Sequence, residues 1–161
     1  MTRIVAGSAK GRTLAVPKSG TRPTSERVRE ALFSRLDHMN VLHGATVLDL
    51  FTGTGALGLE ALSRGAARAT LVERASAAAR VATANVRATG LPAHVVTADA
   101  RTYLAARSSD ALEGEVDLVF IDPPYDIAEE EMTAVLEGLA PWIGPDALVI
   151  VERSTRAPVP T

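Results

Sequence analysis

Apolar and polar positions along this chain follow a repeating order: a short apolar run, a turn, then a segment with apolar residues at helical spacing. From residue 46 onward the runs "TVLDL", "ATLVE", "AHVVTAD", "VDLVFID" and "ALVIVE" alternate with "ALGLEALSRG", "ASAAARVATANVRATG", "ARTYLAAR" and "AEEEMTAVLEGLAPW". The runs lack period-two alternation, which is the pattern of parallel strands covered on both faces. Right-handed crossovers then wind them into an open α/β sheet. Ahead of this region, "RIVAG" and "RTLAV" flank the turn "SAKG" and predict a β-hairpin near residues 3–16. After the loop "PKSGTRP", the segment "TSERVREALFSRLDHM" predicts a helix. Thr24 or Ser25 is its N-cap, and Val28, Ala31, Leu32 and Leu36 lie at helical spacing. The expected organisation is a small hairpin-plus-helix extension over residues 1–40 and a catalytic domain over 41–161, packed as one compact unit.

The strands share a second regularity. Each ends at an acid: Asp49, Glu73, Asp99, Asp122 and Glu152, the first four at spacings of 24, 26 and 23 residues. One βα unit separates each from the next, so all are expected at the carboxyl edge of one sheet, where open α/β folds bind ligands. A single acid there is an ordinary turn former. Several in register point to a site.

Charge adds a partner. Residues 1–36 hold eight basic and two acidic groups, a balance of +6, while the remainder carries −8. A basic arm on an acidic body suits a polyanion gripped at one end. Lys10, Arg12, Arg22, Arg27 and Arg29 are the candidate phosphate contacts. The chain has no cysteine, which excludes disulfides and thiolate metal sites. No run approaches the ~20 apolar residues of a membrane span, and the N-terminal segment has no apolar signal core. A cytoplasmic protein without membrane or metal partners, and monomeric, is expected. His38, His43 and His94 share no ligand spacing, Trp142 reads as a packing residue, and Glu129, Glu130 and Glu131 suit the first turn of a helix.

The turn after the first parallel strand is "GTGALG", which places Gly53, Gly55 and Gly58 in a complete G-x-G-x-x-G. Glu73 follows Gly53 by 20 residues, near the spacing of a ribose-binding acid. This fits a dinucleotide oxidoreductase and an S-adenosylmethionine enzyme alike. Asp49 favours the second, because it stands where a pyrophosphate would be repelled and where the ammonium and sulfonium of S-adenosylmethionine would be attracted.

The stretch "VFIDPPYDIAEEEM" ends an apolar strand with an acid, two prolines and an aromatic ring, more than a turn needs. "DLFTGTGALGLEAL" resembles motif I of class I S-adenosylmethionine-dependent methyltransferases, and "DPPY" resembles their motif IV, a signature of amino-nitrogen methylation. Together with "RIVAGSAKGRTL" and "RPTSERVREALFSRL", these motifs make residues 3–152 similar to the bacterial RsmD family. That resemblance implies a Rossmann-like methyltransferase acting on the exocyclic N2 amine of a guanine in 16S ribosomal RNA, free or in an assembling 30S particle. It implies Asp49, Phe51, Gly53, Gly55, Glu73, Asp99, Ala100 and Thr24 at the cofactor, and Asp122, Pro123, Pro124 and Tyr125 at the acceptor amine. Other readings are a DNA adenine N6 or protein amide methyltransferase, and an RNA-binding assembly module without catalysis. Members of that family continue past the fifth strand with a hairpin completing a seven-stranded sheet. The chain ends at Thr161, so strands six and seven are expected to be absent.

Overall fold

A computed structural model describes residues 2–15, 26–106, 114–124 and 126–152. Strands β1 (Thr2–Arg3) and β2 (Thr13–Leu14) pair antiparallel as the predicted hairpin. Helix α1 spans Glu26–His38. The βα succession then runs β3 (Thr46–Asp49), α2 (Ala56–Ser63), β4 (Arg68–Glu73), α3 (Ser76–Thr89), β5 (Ala93–Thr97), α4 (Ala100–Ala105), β6 (Val116–Ile121), α5 (Glu129–Leu139), a 3-10 turn over Ala140–Trp142, and β7 (Ile143–Val151). Among the described residues the main sheet has five strands in the order β5-β4-β3-β6-β7, with every pairing parallel.

The pleat of the strands divides the apolar side chains between two cores, since successive residues point to opposite faces. On one face Val47, Leu71, Leu118 and Phe120 meet α2 and the N-terminal elements through Leu59, Phe33, Leu36, Ile4 and Leu14. On the other, Leu48, Val72, Val119 and Ile121 pack with Leu104, Met132, Val135 and Trp142. Trp142 is fully buried, donates from Nε1 to the Leu104 carbonyl at 3.0 Å, and stacks on Tyr103 at 5.1 Å. It is a packing residue, as its place beside Pro141 predicts.

Two elements differ from the sequence reading. In α1 the buried stripe is Arg29, Leu32, Phe33 and Leu36, while Val28 is 46% exposed and Ala31 also faces out. The stripe follows the i, i+3, i+4, i+7 spacing of a helix face. It is set by Phe33, whose ring meets Phe120 at 5.5 Å. Strand β7 starts at Ile143 and so includes Gly144 and Pro145, with its register to β6 shifted between Val116 and Leu118. Proline is tolerated there because β7 is the edge strand among the described residues and the ladder is already interrupted.

Candidate active site

The strand order reverses direction between β3 and β6, which makes the carboxyl ends of these neighbours the crevice where such sheets bind ligands. Asp49 closes β3, and Asp122 directly follows β6. Glu73 closes β4, and Glu152 follows β7 with its amide bonded to the Ile121 carbonyl at 2.9 Å. The predicted row of acids is therefore real, and it lines one edge.

Asp49 is fully buried. Its Oδ2 accepts from the Thr52 hydroxyl at 2.7 Å and the Gly58 amide at 3.3 Å, while Oδ1 is buried with no hydrogen-bond partner. A carboxylate oxygen left unsatisfied in the interior is costly. Burial pushes the Asp49 carboxyl up to about 7, with repulsion from Asp122 and Glu73 adding to it against the Thr52 and Gly58 hydrogen bonds. Burial likewise raises Glu152, again with help from Asp122, and Arg35 opposes the shift. The site is thus an anionic edge that a cation would relieve.

The glycine-rich turn is built for close approach. Gly55 adopts φ of +87°, and a Cβ at Gly58 would stand 2.3 Å from Leu71 Cδ2, so a side chain there would have to displace the tip of Leu71. The Gly53 amide donates to Glu73 Oε1 at 2.9 Å and the Ala75 amide to Oε2 at 2.9 Å. Each oxygen keeps a lone pair for a further donor such as a ribose hydroxyl. Phe51 is half-buried against the second core, beside the turn. Asp99 caps α4, accepting from the Thr102 amide at 3.3 Å, and Ala100 is buried behind it. A groove of about 470 Å³ opens beside Asp99 between α4 and α5, but neither Asp49 nor Asp122 lines it.

After β6, Asp122 is half-buried, Pro123 buried and Pro124 exposed. The Ile127 amide donates to the Pro124 carbonyl at 3.1 Å and closes the turn after the two prolines. Thr24, Arg22 and Tyr125, each expected in the site or its RNA contacts, lie outside the described residues. Lys10, Arg12 and Arg27 are exposed. Arg29 requires a correction. Its side chain is fully buried, donates from Nη2 to the Arg3 carbonyl and lies 3.5 Å from Glu60, so it cannot meet a phosphate at the surface.

The family described as Conserved hypothetical protein 95 matches residues 2–161. The chain belongs to that family. It is 40% identical over 161 residues to ribosomal RNA small subunit methyltransferase D of Escherichia coli K12, covering 99% of this chain and 78% of that protein. The solved structure of yhhF from Escherichia coli superposes with a TM-score of 0.80 at 39% identity, over 99% of this chain and 85% of that one. A hypothetical protein of Thermus thermophilus reaches a TM-score of 0.85 at 31% identity, over 99% and 90%.

A Conserved hypothetical protein 95 member with this sheet is a Rossmann-like, S-adenosylmethionine-dependent methyltransferase. The residues present fit that cofactor: the orphaned Asp49 oxygen suits its ammonium, and Glu73 suits its ribose. Sequence reasoning missed three residues around it. Thr52 holds Asp49, Glu60 holds Val5 and Ala6 in the segment after β1, and Asn85 reaches the glycine turn. Asn85 alone left a signal, as a polar residue in register with the buried Ala78 and Ala82 of α3.

The Asp49 environment predicts a proton-linked cofactor affinity. With a folded pKa of about 7 against an ordinary value of 3.8, this group binds a proton on folding between those limits. Its contribution to the stability of the ligand-free protein therefore falls as pH rises from about 4 to 7. A bound ammonium favours the ionised form. S-adenosylhomocysteine should bind more weakly below pH 7, releasing most of one proton at pH 6, which calorimetry in buffers of different ionisation enthalpy measures. Asp49→Asn should abolish the buffer dependence, and its absence in the parent protein would contradict this account.

Proposed function

We propose that this methyltransferase modifies the exocyclic N2 amine of a guanine in small-subunit ribosomal RNA. The observation that carries the reading is the placement of Asp122 and Pro123 at the end of β6, next to Asp49 at the end of the neighbouring β3. Acceptor and cofactor residues then face each other across one strand spacing.

When bound, S-adenosylmethionine supplies an electrophilic methyl on a sulfonium. The chain's residues prepare the nucleophile. A guanine amine is weakly nucleophilic because its lone pair is delocalised into the ring. The Asp122 carboxylate and the Pro123 carbonyl accept its two N–H bonds and draw the nitrogen toward tetrahedral geometry. That localises the lone pair toward the methyl group, and orientation supplies much of the rate. Accepting that methyl would leave the nitrogen cationic, and in this reading the Asp122 carboxylate collects the proton it then loses. Pro124 restricts the residue before it and so fixes the Pro123 carbonyl. In this reading Tyr125 supplies a stacking face worth ~1–3 kcal/mol. The base must leave its stack to arrive there, so a flipped or single-stranded guanine is the substrate. Lys10, Arg12 and Arg27 hold phosphates, and binding weakens with salt. The action is cytoplasmic, on free RNA or an assembling particle. The name of the Escherichia coli relative supports the RNA, and "DPPY" supports the amine.

The test is transfer from labelled S-adenosylmethionine to small-subunit RNA and to assembling small-subunit particles, followed by nucleoside mass spectrometry. N2-methylguanosine is expected. N6-methyladenosine, or no transfer to either substrate by a folded chain that binds the cofactor, would refute the assignment.

A further inference from the structure

Asn85 is 2% exposed, yet its side-chain amide finds backbone partners on two separate segments. Its Oδ1 accepts from the Ala15 amide at 2.7 Å. Its Nδ2 donates to the Ala15 carbonyl at 3.1 Å and to the Thr54 carbonyl at 2.8 Å. The side chain thus pairs with residue 15 as a neighbouring strand would, using one donor and one acceptor. The remaining donor holds the middle residue of the Gly53–Gly55 turn.

Those two anchors belong to different halves of the proposed chemistry. Ala15 ends the described hairpin that carries exposed Lys10 and Arg12. Thr54 lies between two glycines at φ of +56° and +87°, whose flanking peptides have no Cβ to stiffen them. The same turn carries the Gly53 amide, which reaches Glu73. Ala15, the Asn85 amide and the glycine turn are thus joined by one chain of hydrogen bonds. The buried amide cannot give up either partner without leaving a polar group unsatisfied.

We propose that Asn85 is a positioning residue that couples cofactor binding at the glycine turn to polyanion binding by the N-terminal hairpin. The inference rests on reading that hairpin as an RNA contact. Because coupling is reciprocal, RNA tightens the cofactor by the factor with which the cofactor tightens RNA. Ser63 provides a control. It also clamps the hairpin, accepting from the Ala9 amide at 2.9 Å and donating to the Ala6 carbonyl at 2.6 Å, and neither of these bonds involves the glycine turn.

The experiment measures S-adenosylhomocysteine affinity with and without small-subunit RNA for the parent protein, Asn85→Asp, Asn85→Ala and Ser63→Ala. The parent should show mutual tightening of about fivefold or more. The Asn85 variants should bring that factor close to one, and Ser63→Ala should keep it while lowering the melting temperature. Asn85→Asp retains the acceptor for Ala15 and loses both donors, which separates coupling from simple loss of packing. Amide exchange in the parent protein needs no variant: the Ala15 amide should slow when S-adenosylhomocysteine binds. No coupling in the parent protein, unchanged coupling in both Asn85 variants, or an Ala15 amide indifferent to ligand would each overturn the proposal. N2-methylguanosine formation, measured on the same samples, shows separately whether the functional reading stands.

Discussion

Asp122→Ala is expected to lower the rate constant of methyl transfer roughly 10²–10³-fold, the scale of losing one preorganised hydrogen-bonding group at a reacting centre. The reason is geometric. Asp122 follows the last residue of β6, whose Ile121 is fully buried, so the carboxylate is delivered by a rigid strand end. In the proposed mechanism its removal takes away one of two acceptors for the amine and the group that collects the proton. It also takes away a charge that raises the pKa values of Asp49 and Glu152. Cofactor affinity at neutral pH should therefore hold or improve while turnover collapses, a split that general unfolding would not produce. RNA affinity, which the proposed function assigns to the basic extension, should change little. Asp122→Asn keeps one acceptor oxygen and should retain more activity than the alanine variant. Single-turnover rates with saturating cofactor make the comparison, and an alanine variant within tenfold of the parent would contradict it.

Glu60→Ala is expected to cost about 3–5 kcal/mol of stability, the range for removing one partner of a buried ion pair. Glu60 is fully buried on α2. Its oxygens accept from the Val5 amide at 2.8 Å and the Ala6 amide at 3.1 Å, and from Arg64 Nε at 2.9 Å. Arg29 Nε lies 3.5 Å away and, like Arg29 Nη1, has no hydrogen-bond partner. Alanine would leave two backbone donors and a buried guanidinium without their counter-charge. Arg64 fares better, because it also bonds Asp37 at 2.6 Å and covers the Phe33 ring at 5.3 Å. At about 2–4 °C per kcal/mol for a chain of this size, the melting temperature should fall by roughly 10 °C. Glu60→Gln, which can still accept from the backbone amides, should cost less. Thermal unfolding followed by circular dichroism measures both, and a melting point that barely moves in the alanine variant would overturn the assignment.

What was legible in the sequence was local. Strand ends, the glycine turn and the helices between them are written in contiguous residues, so Asp49, Glu73 and Asp122 could be placed at one edge from spacing alone. The pairing that makes Asp49 a neighbour of Asp122 rather than of Asp99 is a property of strand order, which no local pattern carries. Arg29 shows the same limit from the other side. A charge in a helical stripe reads as surface unless its counter-charge is known, and Glu60 lies on another helix. Asn85 sits where an apolar residue is expected, and its reason for being there is two backbone segments 70 and 31 residues away.

The most direct measurement is a crystal structure of the chain with S-adenosylhomocysteine and a guanosine-bearing RNA fragment. The guanine N2 should lie within hydrogen-bond distance of both the Asp122 carboxylate and the Pro123 carbonyl, facing the cofactor sulfur, with the cofactor ammonium against Asp49. A base seated with N2 directed away from those two acceptors, or a cofactor lying elsewhere than beside the Gly53–Gly58 turn, would contradict the account.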